Sequence, residues 1–186
     1  MVNVNPDPPA PAPDPATHRS RGLIIPTVVE SIDAARAAAC LHDMDLAPYQ
    51  PFRLVAADLM RVVVARWDGK DLSLESHPMG PVCVVSSGLG DHLVQEPRLG
   101  LWDEMVVRAG TSPTTQDAFH AHTWPDRPHL SVMMTREEAL TVSKTIVRVR
   151  PDEIEMRYEA QDEEPVVSTI KRSVARMAAS EAYHLA

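Results

Sequence analysis

Between Phe52 and Ser76 the chain holds three successive runs rich in Val, Leu, Ala and aromatic residues: Phe52 to Asp58, Arg61 to Trp67 and Leu72 to Ser76. The breaks between them are too short for a crossover helix, so the runs can pair only as neighbouring antiparallel strands. Asp68-Gly69, between the second and third, is a two-residue hairpin signal. This meander constrains the fold more than any other feature, because it excludes a chain built from βαβ repeats. The segments around it complete the pattern. In Ser31 to Leu46, Ile32, Ala35, Ala39 and Leu46 recur near helical spacing, with Ser31 as the cap and Asp33 in the first turn, and Pro48 and Pro51 close the segment. Pro81 to Ser86 reads as a further short apolar strand leading into the turn Ser87-Gly88-Leu89-Gly90.

From Arg98 to Ala109, the residues Leu99, Trp102, Met105, Val106 and Ala109 line one helical face, and Gly110 stands where a helix ends. Ser112-Pro113 supplies a cap and a first-turn proline for a second helix through about Ala121. Strand signals then return at His129 to Met134, Thr141 to Arg150, the alternation Ile154, Met156, Tyr158, and Pro165 to Lys171. Thr135 to Glu138 fits a capping box for one helical turn. Helix, four strands, two helices and three or four strands make an α+β chain of antiparallel sheets.

Composition narrows the function. Six of the 17 prolines lie in the first 15 residues (Pro6, Pro8, Pro9, Pro11, Pro13 and Pro15), which makes residues 1–19 an extended loop or tail. Residues 20–172 are then expected to form one α+β domain, with an Ala-rich tail over 173–186. A net charge of −8 with scattered Lys and Arg excludes a general nucleic-acid partner. No apolar stretch is long enough to span a bilayer, and Met1 to Pro15 lacks the basic and apolar regions of a signal peptide. A cytoplasmic protein with free thiols is expected. Cys40 and Cys83 are far apart, match no metal or redox motif, and read as inert core thiols.

The chain contains no GxGxxG, GxxxxGK[ST], HExxH or GxSxG. His120, His122 and His129, with Asp117 and Asp126 nearby, are the densest set of metal-type ligands. However, His-x-His places the two rings on opposite sides of a strand, so a surface or loop role is expected, with no metal and no cofactor. Ser87 to Asp91 has two glycines but no lysine for a phosphate loop, and reads as an ordinary turn.

Ser20-Arg-Gly-Leu23, the helix after it, and Tyr49-Gln-Pro-Phe-Arg-Leu-Val-Ala-Ala-Asp58 resemble the middle of the NRDE family, which includes the transport and Golgi organisation proteins. The family's phrase there is Arg-Gly, a helix, then Tyr-Asn-x-Phe-Asn-Leu and Ala/Gly-Asp before a hairpin. Gln50 and Arg53 stand in place of its two asparagines. Val84-Val-Ser-Ser87 resembles the family's Leu-Ser-Asn strand end, followed by Pro97-Arg98, and His129 to Thr145 resembles its late strand pair.

The resemblance implies an αββα sandwich of antiparallel sheets like that of the N-terminal nucleophile hydrolases. There a Cys at the mature N-terminus attacks an amide and its own α-amino group serves as base. Here Val2 follows Met1 and no Asn-Arg-Asp-Glu string occurs, so the first strands of the family are expected to be missing and the sandwich incomplete. The resemblance further implies that Asn3 and Ser87 stand at oxyanion or polar positions and that Arg127 is a partner for a substrate carboxylate. It implies either a C–N amide hydrolase whose nucleophile this chain lacks, acting on an unknown small molecule, or a non-catalytic carrier of haem or lipid. Exposed sheet edges left by missing strands imply self-association.

Overall fold

The computed structural model describes residues 1–7, 16–161 and 167–173. The expectations for the prolines from Pro8 to Pro15, for Pro165 and for the tail from residue 174 onward fall outside the described residues. The chain divides into two compact units, Met1–Phe119 and His120–Ala186. It is α+β, with all strand pairs antiparallel. Among the described residues no helix is long and apolar enough to cross a membrane.

The first unit is built on a four-stranded sheet in the order β1-β2-β3-β4, with β1 Val2–Asn3, β2 Phe52–Ala57, β3 Arg61–Trp67 and β4 Leu72–Pro78. The meander read from the sequence is present, and its last turn differs in length. Trp67 pairs with Leu72, so four residues connect the strands. The Asp68 carboxylate accepts the amides of Lys70 (2.9 Å) and Asp71 (2.8 Å), and Gly69 takes φ +103°. The side chain thus replaces the two-residue turn with a wider one.

Two helices cover one face of this sheet: α1 Ile24–Val29 and α2 Ala34–Asp43. Pro26 falls in the first turn of α1, where its missing N–H has no helical partner to lose. The cap of α2 is Asp33 rather than Ser31: its carboxylate accepts the Arg36 amide at 2.7 Å. The expected start was therefore two residues early, and Ile32, Ala35 and Ala39 of the expected stripe are exposed while Ala34, Ala37, Ala38 and Leu41 form the buried face. Ile24, Leu41, Phe52, Leu54, Ala65 and Trp67 share one buried cluster between the helices and the sheet. Trp67 Nε1 donates to the Tyr49 carbonyl at 3.0 Å, which satisfies the single polar atom of that ring.

Asp58, in the turn between β2 and β3, ties the sheet to α2. Its carboxylate accepts the Ala34 amide at the helix N-terminus (3.0 Å) and the amides of Met60 (2.7 Å) and Arg61 (2.9 Å). These bonds, the one from Ala34 foremost, hold the carboxyl below the usual carboxylate range. A lowered folded value means that the stabilisation is complete above the unfolded value, about 3.9, and is lost as pH falls through the folded one. Asp58→Ala is therefore expected to lower the urea midpoint at neutral pH, and the gap to wild type to close as the buffer is made acid. A gap independent of pH would argue against the ionised carboxylate as its source.

The strand expected over Pro81 to Ser86 is absent as a paired strand. Guanidinium groups take carbonyls of this segment in place of a ladder: Arg53 Nη1 donates to Val85 O and Arg98 Nη1 to Ser86 O, each at 3.1 Å. The helix expected from Arg98 begins earlier, as α3 Asp91–Trp102, and continues as a π-helical stretch over Asp103–Arg108. Pro97, which reads like a helix start, sits inside α3. The buried face is Val94, Arg98, Trp102 and Val106, and Ala109 is exposed. The second helix, α4 Pro113–His120, matches its expectation, with Ser112 Oγ accepting the Thr115 amide at 3.1 Å.

In the second unit, the expected strand over His129 to Met134 is replaced by a 3-10 turn, Pro128–Leu130, and an irregular segment. The backbone bonds there go elsewhere: buried Ser131 accepts the Trp124 amide (2.7 Å), and the Met133 amide reaches His122 O (3.0 Å). Thr135 to Glu138 forms no helical turn. It opens a tight hairpin, β5 Thr135–Arg136 and β6 Ala139–Leu140, with Glu137 and Glu138 at its tip. A three-stranded sheet follows in the order β7-β8-β9, with β7 Ser143–Val149, β8 Glu153–Ala160 and β9 Val167–Ser173. One face carries the ion pairs Lys144–Glu159 (3.0 Å) and Arg148–Glu155 (3.4 Å). On the other, Val147, Met156 and Ile170 lie in one cross-strand row and are exposed.

Candidate functional site

The N-terminal strand brings together two segments more than 80 residues apart in sequence. Because β1 pairs with β2, the Val4 amide donates to Pro51 O at 3.2 Å, and the chain beyond it runs against the turn before α3. Asn5 O accepts the Asp91 amide (3.0 Å), Asn5 Nδ2 donates to Ser86 Oγ (3.3 Å), and Ser86 Oγ donates to Asn3 O (2.8 Å).

The turn is held from the other side by charge. Asp91, buried at the first position of α3, pairs with Arg53 at 2.8 Å and accepts the Ser87 amide at 3.1 Å. Gly90 has φ +119°, and a Cβ there would stand 2.8 Å from the His92 ring, so glycine is required. Arg53 reaches both Asp91 and Val85 O.

Beside this junction lies a cavity of about 280 Å³, lined by Asn5, Asp7, Arg21, Gln50, Gly90 and His92 among others. Arg21 Nη1 donates to Pro51 O at 2.8 Å, and His92 approaches Asp7 at 3.7 Å on the exposed rim. The lining offers hydrogen-bond donors and one guanidinium, which suits recognition of an oxygen-rich group.

The residues expected at the site are placed as follows. Asn3 is exposed on β1, opposite Phe52, and its carbonyl is the group engaged. Ser87 Oγ accepts the Leu89 amide at 3.2 Å within its own turn. The residues that meet side chain to side chain are Asn5, two positions after Asn3, and Ser86, one before Ser87. A sequence signal for Asn5 existed, since Val2-Asn3-Val4-Asn5 alternates and sets Asn5 in step with Asn3. Arg127 is in the second unit, exposed, with its guanidinium 4.8 Å from the centroid of the Trp124 ring. His122 packs edge-to-face on the same ring at 4.9 Å, and His120 and His129 are exposed. Among the described residues no group of three or more His, Cys, Asp or Glu is placed to hold a metal ion.

Neither cysteine has the surroundings of an activated nucleophile. Cys40 Sγ donates to Thr27 O at 3.7 Å. Burial pushes the Cys83 thiol up to about 11, against the opposing effect of Arg98. At about pH 8 such a thiol is ~0.1% thiolate. In a Cys40→Ser background, Cys83 is expected to react with a disulfide reagent on the order of a hundredfold more slowly in the folded protein than in the unfolded one. Equal rates would show that burial does not suppress its ionisation.

The chain matches no known protein family, no curated protein and no solved structure.

Proposed function

We propose that this protein is related to the NRDE family and its N-terminal-nucleophile-hydrolase-like αββα sandwich. Its activity, in a form carrying an N-terminal Cys, is C–N amide hydrolysis of a small molecule in the cytoplasm. The observation that carries this reading is the junction of Asn5 with Ser86 and Asp91. It lies next to Asn3 and Ser87, the positions that the family resemblance marks as polar, and beside a cavity of ligand-holding size. The helices α1 and α2 over an antiparallel sheet supply one helix layer and one sheet layer of such a sandwich.

In this reading the protein's own residues orient the substrate. The Asn5 amide and the backbone of the glycine turn face the polar end of the ligand, while the attacking group comes from an N-terminal residue. The test is the reading frame upstream of the Met1 codon. It is expected to encode Met-Cys and, further on, Asn-Arg-Asp-Glu, and a frame without them removes the hydrolase.

An apolar groove favours the second reading, carriage of a lipid or haem. It has a volume of about 380 Å³ and lies between α2 and β3–β4, lined by Ala35, Ala38, Ala39, Val63 and Leu74 among others. Short alanine side chains on α2 leave that space open. Titration with haem tests it: a shifted Soret band is expected for a carrier, and an unchanged band eliminates haem.

A further inference from the structure

We infer that the cavity beside Asn5 takes the carboxylate of a small N-acyl ligand and that Arg21 is the residue that binds it. The N-acyl half of this statement rests on the amide-hydrolase reading; the carboxylate half rests on the cavity alone. Arg21 opens a 3-10 turn whose cap is Ser20, with Ser20 Oγ accepting the Gly22 amide at 3.3 Å and Ser20 O the Leu23 amide at 3.0 Å. The turn fixes the backbone, and the bond from Nη1 to Pro51 O at 2.8 Å fixes the far end of the side chain. A guanidinium has five N–H donors, and one bond to a carbonyl leaves a planar fork for a carboxylate.

Charge bookkeeping around the cavity singles out the same residue. Arg53, on the other side of the junction, is neutralised by Asp91 at 2.8 Å. Arg21 has no carboxylate partner among the described residues. Asp7, the acid on the rim, faces His92 at 3.7 Å. The rest of the polar lining is neutral amide, from Gln50 and Asn5, and bare backbone at Gly88 and Gly90. Arg21 is the one guanidinium of the lining and Asp7, its one carboxylate, makes no ion pair with it, so the fork of Arg21 is open to a single carboxylate of a ligand. A phosphate, nearly doubly charged, calls for further cations, and no lysine lines the cavity. The volume, about 280 Å³, is at the lower end for ligand sites and fits a ligand the size of an N-acetyl amino acid.

The experiment is calorimetric titration of the whole chain with N-acetyl-leucine, with its neutral carboxamide and with inorganic phosphate. Wild type is expected to bind the acid about tenfold more tightly than the carboxamide, the usual weight of a charge-assisted pair. Arg21→Gln is expected to abolish that preference, Arg21→Lys to keep part of it, and Arg127→Gln to leave it intact. Thermal melts of each variant confirm folding. Equal binding of acid and carboxamide, or a preference that survives Arg21→Gln, overturns the inference and leaves the amide-hydrolase reading standing. A preference lost in Arg127→Gln but not in Arg21→Gln overturns the assignment to Arg21. Tighter binding of phosphate overturns the ligand class, and no binding by any of the three overturns the site. The hydrolase reading is decided separately, by the upstream frame.

Discussion

Phe52→Ala is expected to remove about 3–5 kcal/mol of stability, the usual range for truncating a buried aromatic. Phe52 is fully buried at the start of β2, with Trp67 opposite it on β3, and it belongs to the cluster that also holds Ile24, Leu41 and Tyr49. Helices α1 and α2 meet the sheet through this cluster, so the cavity left by the ring opens where three elements converge. Trp67 is affected directly, since its Nε1 bond to Tyr49 O depends on the ring keeping its place. Domains are stable by only about 5–15 kcal/mol in total, so the loss is a large fraction. Urea unfolding followed by tryptophan fluorescence and circular dichroism measures it. The control is Val55→Ala, on the opposite face of the same strand and 43% exposed, for which a cost within about 0.5 kcal/mol is expected. If the two substitutions cost the same, the division of β2 into a core face and an outer face is wrong.

The meander was legible because its signal is local. Three runs rich in Val, Leu, Ala and aromatic residues are separated by breaks too short for a crossover helix, so they can pair only with their neighbours. Ser112-Pro113 was legible for the same reason, since a cap and its helix are adjacent in sequence. Pro81 to Ser86 and His129 to Met134 were misread because a short apolar run looks the same whether its carbonyls meet a strand or a side chain. For the first run the partners are Arg53 and Arg98, and nothing local announces them. Asp33 displaced Ser31 as a cap, and the buried face of α2 is Ala34, Ala37, Ala38 and Leu41 rather than one through Ile32, Ala35 and Ala39, because an Ala-rich segment offers apolar residues on every face.

At the candidate site, the glycine turn and the polar strand end were visible separately. Their junction was not, because Asn5 and Ser86 are 81 positions apart and only the β1–β2 pairing brings them into register. The local clue is Arg53 itself, a charged residue in an otherwise apolar strand, for which Asp91 supplies the carboxylate.

Arg53→Met is expected to cost about 2–4 kcal/mol, because it strands the Asp91 carboxylate rather than because it deletes one attractive contact. The two side chains are 16% and 9% exposed, enough burial for an uncompensated charge to be expensive and enough solvent contact to keep the cost below that of a fully enclosed pair. The test is a double-mutant cycle. Asp91→Leu alone leaves a buried guanidinium with only the Val85 carbonyl and frees the Ser87 amide. The double variant removes both charges and is expected to cost at least about 1 kcal/mol less than the sum of the singles. Strict additivity would mean that the two groups do not act as a pair.

The same cycle reads out the cleft. The Asp91 amide donates to Asn5 O, so the salt bridge fixes the turn against which the N-terminal segment rests. Binding of N-acetyl-leucine should therefore weaken in Arg53→Met in proportion to the loosening of that turn, although Arg53 is not among the residues that line the cavity. Arg21→Gln should weaken the same binding with little change in stability. Arg53 is thus a positioning residue and Arg21 a binding one, and the ratio of affinity lost to stability lost separates the two.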